Sequence, residues 1–231
     1  MILFNGREMK LLFITCFLIL SGCFQGSIKT SVSGVPANAY LPGKGSDVGV
    51  VLCHGRGAYP TWLVVDPLRK GINEKLGYHT LSIQMPFGDV DWDGYGIYFE
   101  DAHKRIQASI DALKQKGVKK IYLMGHSMGS RMATSFLAAY PKSGVDGFIG
   151  VGVRSNGGPL LNSNANLEKI DIPVLDVFGD GGDKKDWWDA KDRAHMISDR
   201  FHQVLIPGAN HQFTMHEDEM VNAVVKWLKT M

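Results

Sequence analysis

The sequence predicts an α/β protein with a mostly parallel central sheet flanked by helices, and three observations carry that reading. Six short apolar, β-friendly runs alternate with stretches of helical periodicity. One strand-to-helix junction is the turn Gly125-His126-Ser127-Met128-Gly129. The residues able to carry chemistry fall just after the C-terminal ends of strand-like runs, the edge at which open α/β sheets bind ligands.

The strand-like runs are residues 48–52, 79–84, 120–124, 148–153, 174–178 and 203–206. Helical patterns are read over 61–75, 99–116, 128–140, 191–200 and 217–229. The first run, Val48-Gly49-Val50-Val51-Leu52, is followed by His54-Gly55-Arg56-Gly57. The third run ends at the serine-bearing turn, after which Met132, Phe136 and Leu137 share one helical face. The fifth, Val174-Leu175-Asp176-Val177-Phe178, leads through Gly179 into Asp180-Gly181-Gly182-Asp183. The last runs into Pro207-Gly208-Ala209-Asn210-His211 ahead of the final helix.

G-x-S-x-G between a strand and a helix is the nucleophile-elbow pattern. The turn is so tight that side chains two residues either side of the serine would collide, which calls for Gly125 and Gly129. It lifts Ser127 Oγ clear of the backbone and points a helix N-terminus toward the reacting carbonyl.

On these motifs the chain resembles the α/β-hydrolase superfamily from about Asp47 to the C-terminus. The resemblance implies an α/β-hydrolase fold and a serine hydrolase, most simply a carboxylesterase working through an acyl-enzyme. It implies the chain order oxyanion loop, nucleophile, acid, histidine. The oxyanion donors would be the backbone N–H groups of Arg56 and Met128; the family often has another glycine at Arg56, so this side chain is free to reach the substrate. His54 would be structural. His211 is the histidine that follows the last strand, and His126 flanks the nucleophile too closely to act as its base. The family's spacing places the acid near Gly182, and Asp183 is preferred over Asp180 because an inserted residue in a Gly-Gly turn is easier to absorb than a shortened reach. Asp176 and Asp186 are outside candidates. An acyltransferase, thioesterase or peptidase could use the same triad, and a non-catalytic binding module could keep the fold. The aspartates around Gly181 and Gly182 lack the ligand ladder of a calcium loop, so neither a metal nor another cofactor is expected.

The connection over residues 154–172 is too short for a large cap domain, so an open site is expected. Phe87, Trp92, Tyr95 and Tyr98 in one loop, and Trp187 and Trp188 after the acid, could line an acyl pocket or simply pack on the core.

At the N-terminus, Lys10 precedes an apolar run over 11–20 and then Leu20-Ser21-Gly22-Cys23. A basic segment, a short apolar segment and a small-residue cleavage site make a signal peptide over 1–22, too short to span a bilayer. Its end resembles the lipobox of bacterial lipoproteins, which implies a diacylated Cys23, a lipidated N-terminus and linker over 23–35, and a catalytic domain over 36–231. Met9-Lys10 is the more typical opening, so translation could begin at Met9. Localisation would be the cell envelope, anchored by lipid, at the periplasmic face of the outer membrane in a Gram-negative host because Phe24, not Asp, follows Cys23.

The formal charge is +2, and +1 once Arg7, Glu8 and Lys10 leave with the signal, so no basic field for nucleic acid is present. Of three cysteines, Cys16 leaves with the signal and Cys23 carries lipid; Cys53 has no disulfide partner. The expected partners are a small acyl substrate and, through the lipid, a membrane; the sequence does not specify an oligomeric state.

Overall fold

The computed structural model describes residues 38–231, so the expected signal peptide, Cys23 and the expected linker lie outside the described residues. In chain order the elements are β1 (Asn38–Leu41), β2 (Val48–Cys53), α1 (Val65–Leu76), β3 (His79–Ile83), α2 (Phe99–Gln115), β4 (Lys120–His126) and α3 (Met128–Ala139). They continue with β5 (Gly147–Val151), α4 (Ser163–Leu167), β6 (Val174–Gly179), α5 (Lys185–Asp192), β7 (Phe201–Ile206) and α6 (Glu217–Leu228). Two 3₁₀ segments, Asp93–Tyr98 and Ala194–Met196, sit in the connections.

The strands form one sheet in the order β1-β3-β2-β4-β5-β6-β7. Every pairing is parallel except β1 with β3. Parallel strands covered on both faces should be apolar on both, and the central strands β2 and β4 are. In β2, Val51 and Cys53 pack with Ile106, Phe136 and Phe148 on the face of α2 and α3. Val50 and Leu52 pack with Leu68, Met220 and Val224 on the face of α1 and α6. β4 alternates in the same way, Ile121 and Leu123 against Tyr122 and Met124. Two buried layers therefore hold the strand ends, and the loops leaving them, in fixed register.

Three elements depart from the sequence expectation. β1 was not anticipated: it is a four-residue edge strand, Asn-Ala-Tyr-Leu, with only Ala39 buried, and so carries no apolar run to read. The helix expected over 61–75 begins at Val65, because the chain turns through Tyr59–Trp62 and Leu63 has φ 49°. The helix expected over 191–200 lies earlier, as α5, and residues 194–196 make only a 3₁₀ turn. α5 is set by inward Asp186, Asp189 and Ala190, a mostly polar buried face that apolar periodicity does not detect. Between β5 and β6 the helical content is α4, capped by Asn162 Oδ1 accepting from the Ala165 N–H at 3.1 Å.

Candidate active site

Ser127 stands between β4 and α3 with φ 54° and ψ −118°, a backbone conformation L-residues rarely adopt. Such strain costs on the order of 1–3 kcal/mol and persists only where the surroundings over-determine it. Here the Ser127 N–H donates to Val151 O at 3.3 Å, and its carbonyl accepts from the N–H of Ser130 (3.0 Å) and Arg131 (3.3 Å) and from Ser130 Oγ (2.6 Å). The two glycines have separate reasons. A methyl group at Gly125 would lie 2.5 Å from Ser130 Cα, and one at Gly129 would lie 2.3 Å from Cys53 O. The start of α3 is thus pressed against the end of β2, and both positions must lack Cβ.

His211 reaches this serine from the loop after β7. Its Nε2 lies 2.9 Å from Ser127 Oγ, and its Nδ1 lies 2.8 and 2.9 Å from the two oxygens of Asp186. The loop is held by Asn210 Oδ1, which accepts from the N–H groups of Gln212 and Thr214, and by His126 Nε2, which donates to His211 O at 2.9 Å. His126 is buried, and its desolvation, helped by the nearby His211 ring, lowers its pKa to about 3. It is therefore a neutral structural donor beneath the His211 loop. Gly152, at φ 56°, closes the wall: a methyl there would sit 3.0 Å from His211 Nδ1 and 3.2 Å from Asp186 Oδ2.

The carboxylate on His211 is Asp186, and the expectation of Asp183 is corrected. Asp183 is exposed, and its Oδ1 accepts from the Lys185 N–H at 3.0 Å, with Arg154 Nη2 3.4 Å away. That backbone bond at the entry to α5 is the main reason its pKa is lowered. Asp180 is also occupied elsewhere, accepting from the Gly208 N–H at 2.6 Å. Counting from the strand end presumes a loop that runs straight to the acid. The chain instead enters α5 at Lys185, and the first helical turn carries the Asp186 side chain inward until it is 4% exposed. No capping signal marked Asp186: the residue preceding α5 is Lys184, whose side chain makes no cap bond, and Asp183 meets the backbone only two residues on, in a local turn. Asp176, the strand candidate, is buried against Arg193 Nε at 2.7 Å, remote from His211 in role. A residue that sequence reasoning missed is Arg154, just past β5, whose Nε donates to Asp186 Oδ1 at 2.7 Å.

The loop after β2 lies directly on the elbow. A methyl at Gly55 would be 3.1 Å from Ser127 Cβ, and Gly57 takes φ 71° in a turn closed by Ala58 N–H to Gly55 O (3.2 Å). His54 anchors it. Its Nε2 accepts from the Met85 N–H at 3.0 Å, which fixes the Nδ1–H tautomer, and that hydrogen goes to Gly55 O at 2.8 Å. Burial lowers the His54 pKa to about 4, so the arrangement is neutral and permanent near neutrality.

Ser127 and His211 open onto a cleft of about 300 Å³ whose walls include Arg56, Met128, Trp92 and Arg131. Both residues expected as oxyanion donors are thus on the cleft, and the N–H of Met128, first in α3, has no partner within its own helix. Of the expected aromatics, Trp92 lines the cleft, Tyr95 is buried under the Arg56 guanidinium (5.4 Å to the ring centroid), and Trp187 and Trp188 pair with Lys191 on α5.

The architecture is the α/β-hydrolase fold. Est1E from Butyrivibrio proteoclasticus, solved with ferulic acid bound, matches with a TM-score of 0.67 at 17% identity, over 87% of this chain and 97% of that one. A dienelactone hydrolase from Anabaena variabilis matches with a TM-score of 0.67 at 20% identity, over 87% and 94%. An alpha-beta serine hydrolase homologue from Coxiella burnetii matches with a TM-score of 0.64 at 22% identity, over 83% and 90%. At these identities the likeness is one of fold. No curated protein matches the chain in sequence. A family model described as a protein of unknown function, DUF3530, matches residues 97–230, and the chain belongs to that family.

Proposed function

We propose that this protein is a serine hydrolase that cleaves an ester through an acyl-enzyme on Ser127, His211 and Asp186. The observation that carries the reading is the continuous relay from Asp186 to His211 Nδ1 (2.8 Å) and from His211 Nε2 to Ser127 Oγ (2.9 Å), built on a strained serine. A serine hydroxyl alone is a weak nucleophile. As Oγ attacks the carbonyl carbon, its proton passes to His211 Nε2, and Asp186 holds the ring in the tautomer that leaves Nε2 free to accept it. The tetrahedral oxyanion is stabilised by backbone N–H groups of Arg56 and Met128, each such donor typically being worth about 10²–10³ in rate. His211 then protonates the departing alcohol, and water repeats the sequence on the acyl-enzyme. Arg154 shares the Asp186 carboxylate and fixes its rotamer.

The same reading places the enzyme on a membrane surface through Cys23, on the strength of the Leu20-Ser21-Gly22-Cys23 sequence. A fluorophosphonate probe should label the purified wild-type protein and not Ser127→Ala. Absence of labelling in the folded wild type would refute the hydrolase and leave a binding module. Cys23→Ser should abolish palmitate incorporation in cells while sparing ester hydrolysis; an unlabelled wild type would remove the anchor alone.

A further inference from the structure

The charges lining the cleft do not balance. Four of the residues around Ser127 and His211 are cations: Arg56, Arg131, Arg154 and Lys185. Two have carboxylates of their own. Arg154 pairs with Asp186 at 2.7 Å and Asp183 at 3.4 Å, and Lys185 pairs with Asp189 at 3.0 Å. The other two are held by neutral oxygens. Arg56 Nη2 donates to Val90 O at 2.7 Å. Arg131 Nη1 donates to Leu161 O at 2.7 Å and to Asn156 O, and its Nη2 donates to Asn156 Oδ1 at 2.7 Å. Among the described residues neither guanidinium forms an ion pair.

For Arg131 this is a costly arrangement. The residue is 4% exposed, and a buried charge without a counter-ion is normally avoided. Burial lowers its pKa to about 10, which leaves it a cation at neutral pH, with Asp93 and Asp189 acting on it only through space. It sits four residues beyond Ser127 on α3, and Trp92 covers its guanidinium at 5.3 Å. The hydrogen bonds described account for both Nη1 hydrogens and one on Nη2. Nε–H and the second Nη2–H remain, the pair of donors that grips a carboxylate side-on. Arg56 stands on the loop packed against the serine, so the two guanidiniums flank the reacting centre.

Resting on the hydrolase reading above, we infer that the natural substrate is an ester bearing a carboxylate, bound between Arg131 and Arg56 while Ser127 attacks its ester carbonyl. The carboxylate supplies the missing counter-charge and is not itself a reacting group. Neutral esters fill the cleft without meeting either guanidinium's remaining donors and are therefore poorer substrates.

Two matched pairs test this, with the carboxylate on either side of the scissile bond: monomethyl against dimethyl glutarate, and 4-acetoxybenzoate against 4-acetoxybenzamide. The wild type should show kcat/KM at least about 10-fold higher for the anion in one pair, with the ratio falling as salt is raised. Arg56→Gln should lower that ratio several-fold. Ratios at or below one in both pairs, with hydrolysis present, overturn the carboxylate inference and leave the hydrolase standing. If the wild type hydrolyses none of the four, the fluorophosphonate probe decides the hydrolase reading, and calorimetry on Ser127→Ala decides the charge question separately. Binding of one anion at least about 10-fold tighter than its neutral partner upholds the carboxylate site, and equal affinity or no binding overturns it.

Discussion

The connection after β4 and the connection after β6 do similar work, each bringing one side chain past the end of a parallel strand onto the His211 ring, but they are built differently. At Ser127 the main chain does the positioning. Backbone atoms of Cys53, Gly129 and Ser130 crowd both glycine positions, and the serine has one conformation available. At Asp186 the side chains do it. Asp183 meets the Lys185 N–H, and Arg154 and His211 share the Asp186 carboxylate. The start of this turn is crowded by backbone too, an added methyl lying 2.0 Å from Ala209 O at Gly179 and 2.2 Å from Gly208 O at Gly181, but the chain opens at Gly182, ahead of the acid. At Gly182 the nearest atom to an added methyl is Asn210 Cβ at 3.6 Å. A site made by backbone crowding dictates residue types at fixed spacing. A site made by side-chain reach leaves spacing free.

The sharpest test of that contrast lies within the acid turn. Asp186→Asn should lower kcat by about 10⁴ by favouring the wrong His211 tautomer, whereas Asp183→Asn should leave kcat within about 3-fold. Steady-state kinetics on the two folded variants checks it, and the opposite ranking would return the role to Asp183.

A smaller effect is expected from the glycines. Gly129→Ala places Cβ against main chain that cannot yield, and should destabilise by about 4 kcal/mol or more, or prevent folding. Gly182→Ala meets only a positive φ of 65° with open space around it, and should cost about 1–2 kcal/mol. Urea denaturation of both should separate them; similar losses would mean that the elbow at Gly129 is no tighter than the chain at Gly182.

Next in size is a pH effect from the two histidines that brace the serine and its partner. His54 and His126 have pKa values lowered to about 4 and about 3, against about 6.5 in an unfolded chain. Above pH 6.5 both are neutral in either state and contribute no pH dependence. As pH falls below 6.5 the unfolded chain takes up protons that the folded protein cannot, so stability is lost, by up to about 2 kcal/mol per histidine at pH 5. His126→Asn should make the fall in Tm between pH 7 and pH 5 shallower than in the wild type. An unchanged slope would mean that His126 is protonated without cost.

The smallest expected change is at Asp183 itself. Asp183→Asn should lower stability by no more than about 1 kcal/mol, the usual scale of a helix-start hydrogen bond at an exposed site.

Legibility in the sequence followed the same division. Ser127, His211 and the His54–Gly57 loop could be read because each sits where a strand ends and a turn demands particular residue types. Six of the seven strands were readable, the central β2, β4 and β5 because parallel strands buried on both faces have no polar side, and β3, β6 and β7 despite polar residues within them. β1 escaped notice as a short half-exposed edge, and α5 because its buried face is made of aspartates and one alanine. Arg154 carries no motif at all; it is one arginine past a strand, and only its contact with Asp186 gives it meaning.

By itself, then, the sequence determined the α/β architecture, the serine on its tight turn and the histidine that follows the last strand, because hydrophobic period and steric crowding are local and act on consecutive residues. The tertiary structure alone decided which of several nearby aspartates meets His211, and that Arg131 and Arg56 line the cleft without a carboxylate. Those outcomes depend on electrostatics and side-chain reach between segments far apart in the chain, where no local spacing rule operates and charges choose partners only after the backbone has brought them together.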